Sequence, residues 1–449
     1  MRYLPNAPSE DRALLDAIGV QRAEDLLKGI PEPLRLDREL ALPTQQSELE
    51  VLRALQGMSE KNTAFKASFL GAGAYPHFVP AAIDMMSGRQ EWFTAYTPYQ
   101  PEISQGTLQH IFEYQTIMCD LTGQEVSNAS MYDGATSCVE AALMSVRIQR
   151  KRKTILISAA LHPHYQEVLC TNITPHEDLK LVQVAVKDGV TDLEDLKAKL
   201  NADVACFLVG YPNFLGNVED LKAIGELVKG AGAHTISVTM EALSLGWVEA
   251  PGKLGADMSC GEAMSFGNYV SFGGPFLGFL CVKDGFKREI PGRLVGQTVD
   301  LEGRPGYVLT LASREQHIRR DKATSNICTN SGLCTLAFTI HMSLLGETGL
   351  RKMALLNHEK ALATRDALAA IPGVEVLTPR FFNEFAVRLP KPAAEVVEQL
   401  AQHRILAGVP YSRLAPDAGM DDVLLVAATE MTMDGDIKIL ASALAKVCA

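Results

Sequence analysis

Hydrophobic positions follow two different periods along the first two thirds of the chain. Residues 10–58 place apolar side chains at helical spacing, with a break at Pro31 and Pro33, and this pattern predicts a helical arm. From about residue 108, helical segments alternate with short apolar runs that are typical of strands. These runs are TILIS (154–158), LKLVQVAV (179–186), VACFLVG (204–210), HTISVTM (234–240) and FLGFLCV (276–282). Such alternation predicts βαβ units and a mainly parallel sheet.

The pattern changes beyond residue 330. A long amphipathic helix is predicted at about 333–368, and after it come the strands VEVL and FAVRL, a helix at 395–402, the strand LLVAAT and a closing helix. This order is typical of a separate α+β unit. We therefore predict three regions: an N-terminal helical arm at 1–65, a large α/β domain at 66–315 and a small C-terminal α+β domain at 316–449.

Composition and charge exclude some classes of protein. A hydrophobic share of 47% with 21% charged residues is ordinary for a soluble globular protein. The net charge of −11 argues against nucleic acid as a partner, because nucleic-acid binders concentrate Lys and Arg. The one conspicuous basic run, at 147–153, follows an apolar-periodic stretch and is interpreted as a solvated helix end.

The cysteines and the N-terminal sequence indicate the cellular compartment of the protein. Nine scattered cysteines without a C-x-x-C pair are typical of buried thiols in a reducing compartment, and the N-terminus has no apolar core of signal-peptide length. We therefore expect a cytoplasmic protein. The charge-free stretch 263–282 has the length of a membrane span, but Gly273, Gly274 and Pro275 would break a helix there. We interpret it as two buried strands joined by a turn, and expect no membrane association.

A glycine-bearing loop opens one of the predicted helices. Gly134, Thr136 and Ser137 lie where backbone N–H groups and hydroxyls at a helix start can hold a phosphate. A simple capped helix explains the same residues, and on this motif alone it is the favoured interpretation.

A polar loop at 93–106 carries two tyrosines and several amides. Tyr96, Tyr99, Gln100 and Ser104 are candidates for a site mouth or a subunit interface, while a buried connector with mutually satisfied polar groups is an equal alternative.

The segment 314–330 combines charges with small polar residues. Its charges predict a surface helix with i,i+4 pairs, and Thr324 or Ser325 could cap the next helix. The sharper alternative is that Thr324 and Asn326 contact a phosphate or carboxylate across a subunit boundary. His162 and His164 follow the TILIS strand, but no further metal ligands lie nearby, so ordinary loop histidines and no metal are expected.

Several strings, in this order, resemble the P-protein family of glycine decarboxylases, and within it the N-terminal-half chain of two-chain enzymes. They are YLPN (3–6), FLGAGAYPHFVP (69–80), YTPYQPEISQG (96–106), YDGATS (132–137), YPNFLG (211–216), FGNYVSFGGPFLGF (266–279) and REQHIRRDKATSNICTN (314–330). The resemblance implies the aspartate-aminotransferase-like fold of type I pyridoxal-phosphate enzymes, with a seven-stranded sheet and a smaller C-terminal domain.

In that fold a lysine binds the cofactor covalently and an aspartate keeps its pyridine nitrogen protonated. Met264 stands at about the lysine position, and Thr239 or Met240 at the aspartate position. Lys253 and Lys283 are the nearest lysines, but neither fits the spacing. The resemblance therefore implies that pyridoxal phosphate is held by a partner subunit and that this chain has no catalytic residues of its own.

The function implied by the resemblance is that of subunit 1 of the glycine cleavage P-protein, an oxidoreductase complex. With the catalytic-half subunit 2 in an α2β2 heterotetramer, it would support decarboxylation of glycine and transfer of the aminomethyl group to the lipoyl arm of H-protein. The Tyr96–Gln105 loop and the Thr324–Asn330 segment would reach the partner's cofactor. Two alternatives stay open: a free-standing pyridoxal-phosphate lyase or transferase using Lys253 or Lys283, and a purely structural protein with a vestigial pocket.

Overall fold

The computed structural model describes residues 8–36, 38–93 and 97–449, and it divides into two units, Met1–Thr63 and Ala64–Ala449. The first unit contains the helices α1 (Pro8–Ile18) and α2 (Glu48–Ser59) and two 3-10 turns. A capping box starts α2, because the Ser47 side chain accepts from the Glu50 amide and the Glu50 carboxylate accepts from the Ser47 amide. None of its described side chains is buried, so this unit has no core of its own.

The second unit is built around a seven-stranded sheet in the order β2–β10–β9–β8–β7–β3–β4. Six strands run in one direction, and β10 is antiparallel to both of its neighbours. Its strands are β2 (Val126–Ser127), β3 (Thr154–Ser158), β4 (Lys180–Val184), β7 (Val204–Gly210), β8 (His234–Thr239), β9 (Met258–Glu262) and β10 (Gly278–Val282). The short strands β1 (Ala67–Ser68), β5 (Val186–Lys187) and β6 (Val190–Thr191) lie outside this sheet.

Burial on both faces explains the apolar runs seen in the sequence. All seven residues of β7 and all five of β3 are buried, as expected for central strands covered by helices on each side. The helices of the second unit are α3 (Ala81–Ser87), α4 (Gln90–Phe93), α5 (Gln105–Thr122), α6 (Gly134–Gln149), α7 (Pro163–Ile173), α8 (Leu193–Lys199), α9 (Leu221–Gly230), α10 (Gln316–Arg319), α11 (Gly332–Ala369), α12 (Ala393–Gln402) and α13 (Asp434–Cys448).

Local sequence sets the helix starts and their buried faces. The Asp220 side chain caps α9 by accepting from the Ala223 amide, a contact worth about 1 kcal/mol. Leu221, Ile224 and Val228 then line one helical face and are buried against the sheet. Other crossover helices likewise begin at a capping side chain and bury an apolar face.

A second sheet forms near the C-terminus in the order β13–β14–β17–β16. Its strands are antiparallel, and the parallel pair of β1 with β15 lies beside it in the same apolar core. The remaining strands are β11 (Leu294–Val299), β12 (Pro305–Thr310), β13 (Glu375–Val376), β14 (Glu384–Arg388), β15 (Ile405–Leu406), β16 (Val409–Pro410) and β17 (Val423–Ala427). Ala67 and Phe69 belong to this core, so the chain contributes to the C-terminal core before it enters the large sheet.

The long segment α11 is not a continuous helix. Gly346, with φ of 58° and ψ of −177°, interrupts it, as glycine does at little steric cost. Among the described residues α11 is the one helix long and apolar enough to span a membrane, and 56% of its most apolar stretch is buried inside the protein. Its buried side chains contribute to the core shared with α5.

The predicted mainly parallel α/β sheet and the α+β texture after residue 330 are confirmed. Two local predictions are wrong. The stretch 263–282 contains one strand, β10, and its partner β9 lies just before a long connection at 263–277. The charged run after Arg314 forms only short turns, because Arg320 has φ of 54° and breaks the helix. The predicted division of the second unit near residue 316 stays a prediction.

Candidate functional site

The carboxyl ends of the parallel strands define the candidate site. Ser158, Gly210, Thr239 and Glu262 end β3, β7, β8 and β9 at one edge of the sheet. The start of α6 is brought to the same edge, because Met131 bridges to Gly278, the residue paired with Glu262. Ligands of open α/β sheets bind at this edge.

The start of α6 is a capped helix. The Asp133 side chain accepts a hydrogen bond from the Thr136 amide at 2.7 Å. The Ser137 hydroxyl donates to the Asp133 carbonyl oxygen at 2.7 Å, and the Ser137 amide donates to the same oxygen. Thr136 and Ser137 are candidates for phosphate contacts. The Thr136 amide and the Ser137 hydroxyl both donate to Asp133 in the same turn.

The buried carboxylate of Glu262 accepts hydrogen bonds from backbone amides at this helix start and beside it. It accepts from the Gly134 amide at 3.0 Å, from the Met264 amide at 3.1 Å and from the Leu277 amide at 2.6 Å. Burial raises the pKa of Glu262 to about 7, although the three backbone donors pull it down. A protein carboxyl group therefore stands where a helix start could hold an external anion.

Space at Gly134 is filled as well. A Cβ added there would lie 2.1 Å from the Tyr165 hydroxyl oxygen and 3.0 Å from the backbone carbon of Gly261. Tyr165 is partly buried, and desolvation raises the pKa of its phenol well above the ordinary value. The side-chain direction at Gly134 is thus filled by Tyr165, and its amide is already used by Glu262.

The two positions that would bind the cofactor ring also lack the required chemistry. Met264 is buried and unreactive, and the hydroxyl of Thr239 is buried without a hydrogen-bond partner among the described residues. The nearby carboxylate of Glu241 accepts from the Leu243 amide and pairs with His77. Met264, Thr239 and Glu241 therefore supply neither a covalent anchor nor a free carboxylate for a pyridinium.

The two alternative lysines lie at the opposite edge of the sheet. Lys283 follows β10 next to Val282, which pairs with Met258 at the start of β9, so it is about 15 Å of strand away from the Glu262 end. It forms an ion pair with Asp257. Lys253 is exposed and pairs with Glu249 at 3.2 Å. Neither lysine is placed to serve as a cofactor-binding residue at the candidate site.

His162 and His164 do not form a metal site. The His162 side chain is buried; its Nδ1 accepts from the His164 amide, and its Nε2 lies 2.9 Å from the Ala72 carbonyl oxygen. Burial lowers the pKa of His162 to about 4, so the ring is neutral and donates to Ala72. Among the residues described, no three His, Cys, Asp or Glu side chains gather as a metal cluster.

A buried ionic cluster joins the end of β8 to the C-terminal sheet. The His77 ring lies between Glu241, 3.0 Å from its Nε2, and Glu430, 2.9 Å from its Nδ1. Burial alone would lower the pKa of His77, but the two carboxylates outweigh it and raise the pKa to about 10. Glu430 also accepts from the Phe78 amide and from Asn357. The imidazolium thus holds the 69–80 loop against both sheets.

A second carboxyl group fixes the same loop. Glu384 accepts from the Ala72 amide at 2.6 Å and from the Tyr75 hydroxyl at 2.7 Å. Burial raises the pKa of Glu384 to about 7. Several residues of the FLGAGAYPHF string thus make contacts that hold this loop over the sheet edge.

The predicted polar loop lies partly outside the described residues, because Tyr96 is not among them. Tyr99 is 55% exposed and accepts from the Nη2 of Arg293 at 3.2 Å. Gln100 precedes a 3-10 turn at Pro101–Ile103, and Ser104 precedes α5 without capping it through its side chain. Among the described residues of this loop, Tyr99 therefore forms a hydrogen bond with a charged side chain, that of Arg293.

The 324–330 segment is anchored beside the start of α6. The Tyr132 hydroxyl accepts from the Cys328 amide at 3.0 Å, and Ile327 is buried. Thr324 donates its amide to the Arg314 carbonyl oxygen, while Asn326 is exposed. The predicted helix cap by Thr324 or Ser325 is wrong, since α11 begins at Gly332 and the Ser325 hydroxyl accepts from the Ile327 amide instead.

Sequence reasoning missed three residues that govern this region. Glu262 was visible as the lone carboxylate in an apolar stretch, and His77 as the one histidine of its loop, but partners distant in sequence decide both roles. Arg293 carried a weak signal, a charged residue directly before an apolar strand. The fold, rather than the spacing along the chain, brings it to Tyr99.

Comparisons with known proteins point to one family. The sequence model of the family described as glycine cleavage system P-protein matches residues 1–444. A protein of Caulobacter vibrioides (strain NA1000 / CB15N), described as probable glycine dehydrogenase (decarboxylating) subunit 1, is 53% identical over 452 residues, with 100% of both chains covered. A protein of the same description from Rhodospirillum centenum is 51% identical over 451 residues, again with both chains covered in full.

Solved structures agree in fold. The crystal structure of an inhibitor-bound glycine decarboxylase (P-protein) of the glycine cleavage system matches with a TM-score of 0.89 and 40% identity, covering 100% of each chain. The sphingosine-1-phosphate lyase of Burkholderia pseudomallei matches with a TM-score of 0.66 at 14% identity, covering 92% of this chain and 93% of its own, which supports the fold alone. The predicted aspartate-aminotransferase-like fold is confirmed.

We predict that His77→Leu lowers the free energy of unfolding by about 3–5 kcal/mol, because it leaves Glu241 and Glu430 buried without a cation. The raised pKa of His77 means that its contribution is complete below about pH 6.5 and is lost as the pH rises through about 10. The difference from wild type should therefore shrink between these values.

Denaturant titrations at several pH values measure this difference, with His176→Leu at an exposed histidine as the matched control. An equal stability of His77→Leu and wild type at pH 6.5 would contradict the proposed ionic cluster.

Proposed function

Because the chain belongs to the P-protein family of the glycine cleavage system, we propose that it is the non-catalytic subunit 1 of a two-subunit glycine decarboxylase. Its partner is the catalytic-half subunit 2, which holds pyridoxal phosphate. Together they decarboxylate glycine and transfer the remaining aminomethyl group to the lipoyl arm of H-protein. The proposed assembly is an α2β2 heterotetramer in the cytoplasm.

The observation that carries this proposal is the closed helix start at Gly134. Glu262 accepts a hydrogen bond from the Gly134 amide, and the hydroxyl of Tyr165 fills the side-chain direction at Gly134. Met264 and Thr239 leave no amine or carboxylate for the ring of the cofactor. Pyridoxal phosphate, which supplies an electron sink for the carboxylate lost from glycine, is therefore assigned to the other subunit.

The contribution of this chain to catalysis is proposed to come from its exposed polar loops. Tyr99 is half-exposed with its hydroxyl held by Arg293, and Asn326 is exposed on a segment anchored to Tyr132. Exposed side chains on a fixed backbone suit contacts with a second subunit, because little conformational entropy of the backbone is lost when the complex forms. We assign Gln100, Ser104 and Thr324 to the same face.

The function is tested by reconstitution. Subunit 1, subunit 2 and lipoylated H-protein are mixed in turn, and exchange of labelled carbon dioxide into glycine is measured. Exchange is expected only when both subunits are present, because this chain cannot hold the cofactor and the partner site is incomplete without it. Full exchange by subunit 2 and H-protein in the absence of this chain would contradict the proposal.

A second prediction concerns the exposed loops. Tyr99→Phe and Asn326→Ala should each lower the turnover of the assembled enzyme about tenfold, the effect of losing one hydrogen bond in the transition state. Size-exclusion chromatography should find the complex intact. Asn172→Ala, at an exposed asparagine of α7, is the control. Wild-type kinetics in both variants would support a purely structural subunit instead.

A further inference from the structure

Arg293 is a buried guanidinium with most of its donors unused. Its side chain is 3% exposed, yet its Nε and Nη1 have no hydrogen-bond partner among the described residues. The carboxylate of Glu315 lies 3.8 Å from Nε, too far for a hydrogen bond. A buried charge with this few partners is costly, so its retention calls for a functional explanation.

Within the part of the chain that the structure describes, Arg293 forms one hydrogen bond to another side chain, that of Tyr99. Its Nη2 donates to the Tyr99 hydroxyl, and its guanidinium carbon lies 5.4 Å from the centre of the ring. Because the hydroxyl oxygen accepts from Arg293, its own hydrogen must point elsewhere, and no acceptor for it is found among the described residues. Tyr99 therefore presents a polarised O–H donor on an exposed ring.

A histidine stands beside this donor. The ring of His317 meets that of Tyr99 edge to face at 5.7 Å, and its side chain is 43% exposed. The short turns around it contain two non-glycine residues with left-handed backbone, Leu311 (φ 55°) and Arg320 (φ 54°), which cost free energy and are found at binding sites more often than elsewhere. The strained segment holds His317 next to Tyr99.

The surrounding charge favours an anion. The 314–322 segment carries more positive than negative side chains, and its exposed cations lie after His317. One of its anions, the buried carboxylate of Glu315, lies 3.8 Å from both the Nε of Arg293 and the Nδ1 of His317 and offsets part of this positive charge. Its charged residues are Arg314, Glu315, Arg319, Arg320, Asp321 and Lys322.

From these contacts we propose that Tyr99, Arg293 and His317 form a binding site for a small oxyanion, a carboxylate or a phosphate. The Tyr99 O–H donates to the anion, and the charge of the buried Arg293 behind it stabilises the anion. His317 offers a second donor. This proposal rests on the proposed function, because it names the class of ligand bound by the surface of this chain that is proposed to contact subunit 2. Glycine supplies the carboxylate of that reaction, and the cofactor supplies a phosphate.

The test uses the full chain alone, so that it does not depend on catalysis. Binding of inorganic phosphate and of acetate is measured by calorimetry at constant ionic strength. Wild type is expected to bind one of them saturably, and Tyr99→Phe and Arg293→Gln should each raise its dissociation constant at least tenfold. Arg293→Lys should bind with an intermediate constant, and Arg288→Gln, at an exposed arginine nearby, should match wild type.

The two anions separate the two sources. Tighter binding of phosphate supports a cofactor phosphate as the ligand, and tighter binding of acetate supports the carboxylate of glycine. Tyr99→Phe keeps the ring and lies on the surface, so it remains informative if Arg293→Gln fails to fold. No saturable binding by wild type, or equal binding by wild type and Tyr99→Phe, would overturn the proposal, whereas failure of reconstitution would overturn the proposed function and leave this binding result standing.

Discussion

The buried carboxyl group of Glu262 is the constraint on which the candidate site depends. It gathers three backbone amides, at Gly134, Met264 and Leu277, and so connects the start of α6 with both ends of the 263–277 connection. A helix start is a general anion site, and here an internal carboxyl group takes that role. The same contacts that stabilise the sheet edge therefore occupy the Gly134 amide, one of the donors that a phosphate at this helix start would use.

A second polar network lies at the same edge, next to the end of β8. The His77 imidazolium between Glu241 and Glu430, with Glu384 bound to Tyr75, fixes the 69–80 loop between the large sheet and the C-terminal one. Such buried charges are favourable only when each has its partner, so the network is sensitive to single substitutions. Rigid packing is useful for a subunit whose proposed role is to present loops to another subunit.

Much of the fold followed from the periods of the sequence. Runs such as VACFLVG became the central strand β7 because continuous apolar residues fit a strand covered on both faces. The 314–330 segment was harder, since its charges suggested a helix, while the left-handed backbone of Arg320 and the contact of Cys328 with Tyr132 decide its path. The absence of lysine at Met264 was visible in the sequence, but the closure by Glu262 and Tyr165 depends on residues far apart along the chain.

We propose that subunit 2, and not this chain, holds pyridoxal phosphate. The most direct measurement is borohydride reduction after incubation with pyridoxal phosphate, followed by peptide mass mapping, on this chain alone and on its complex with subunit 2. We expect a stoichiometric reduced adduct on a lysine of subunit 2 and none on this chain. A stoichiometric adduct on Lys253 or Lys283 would contradict it and support a free-standing enzyme.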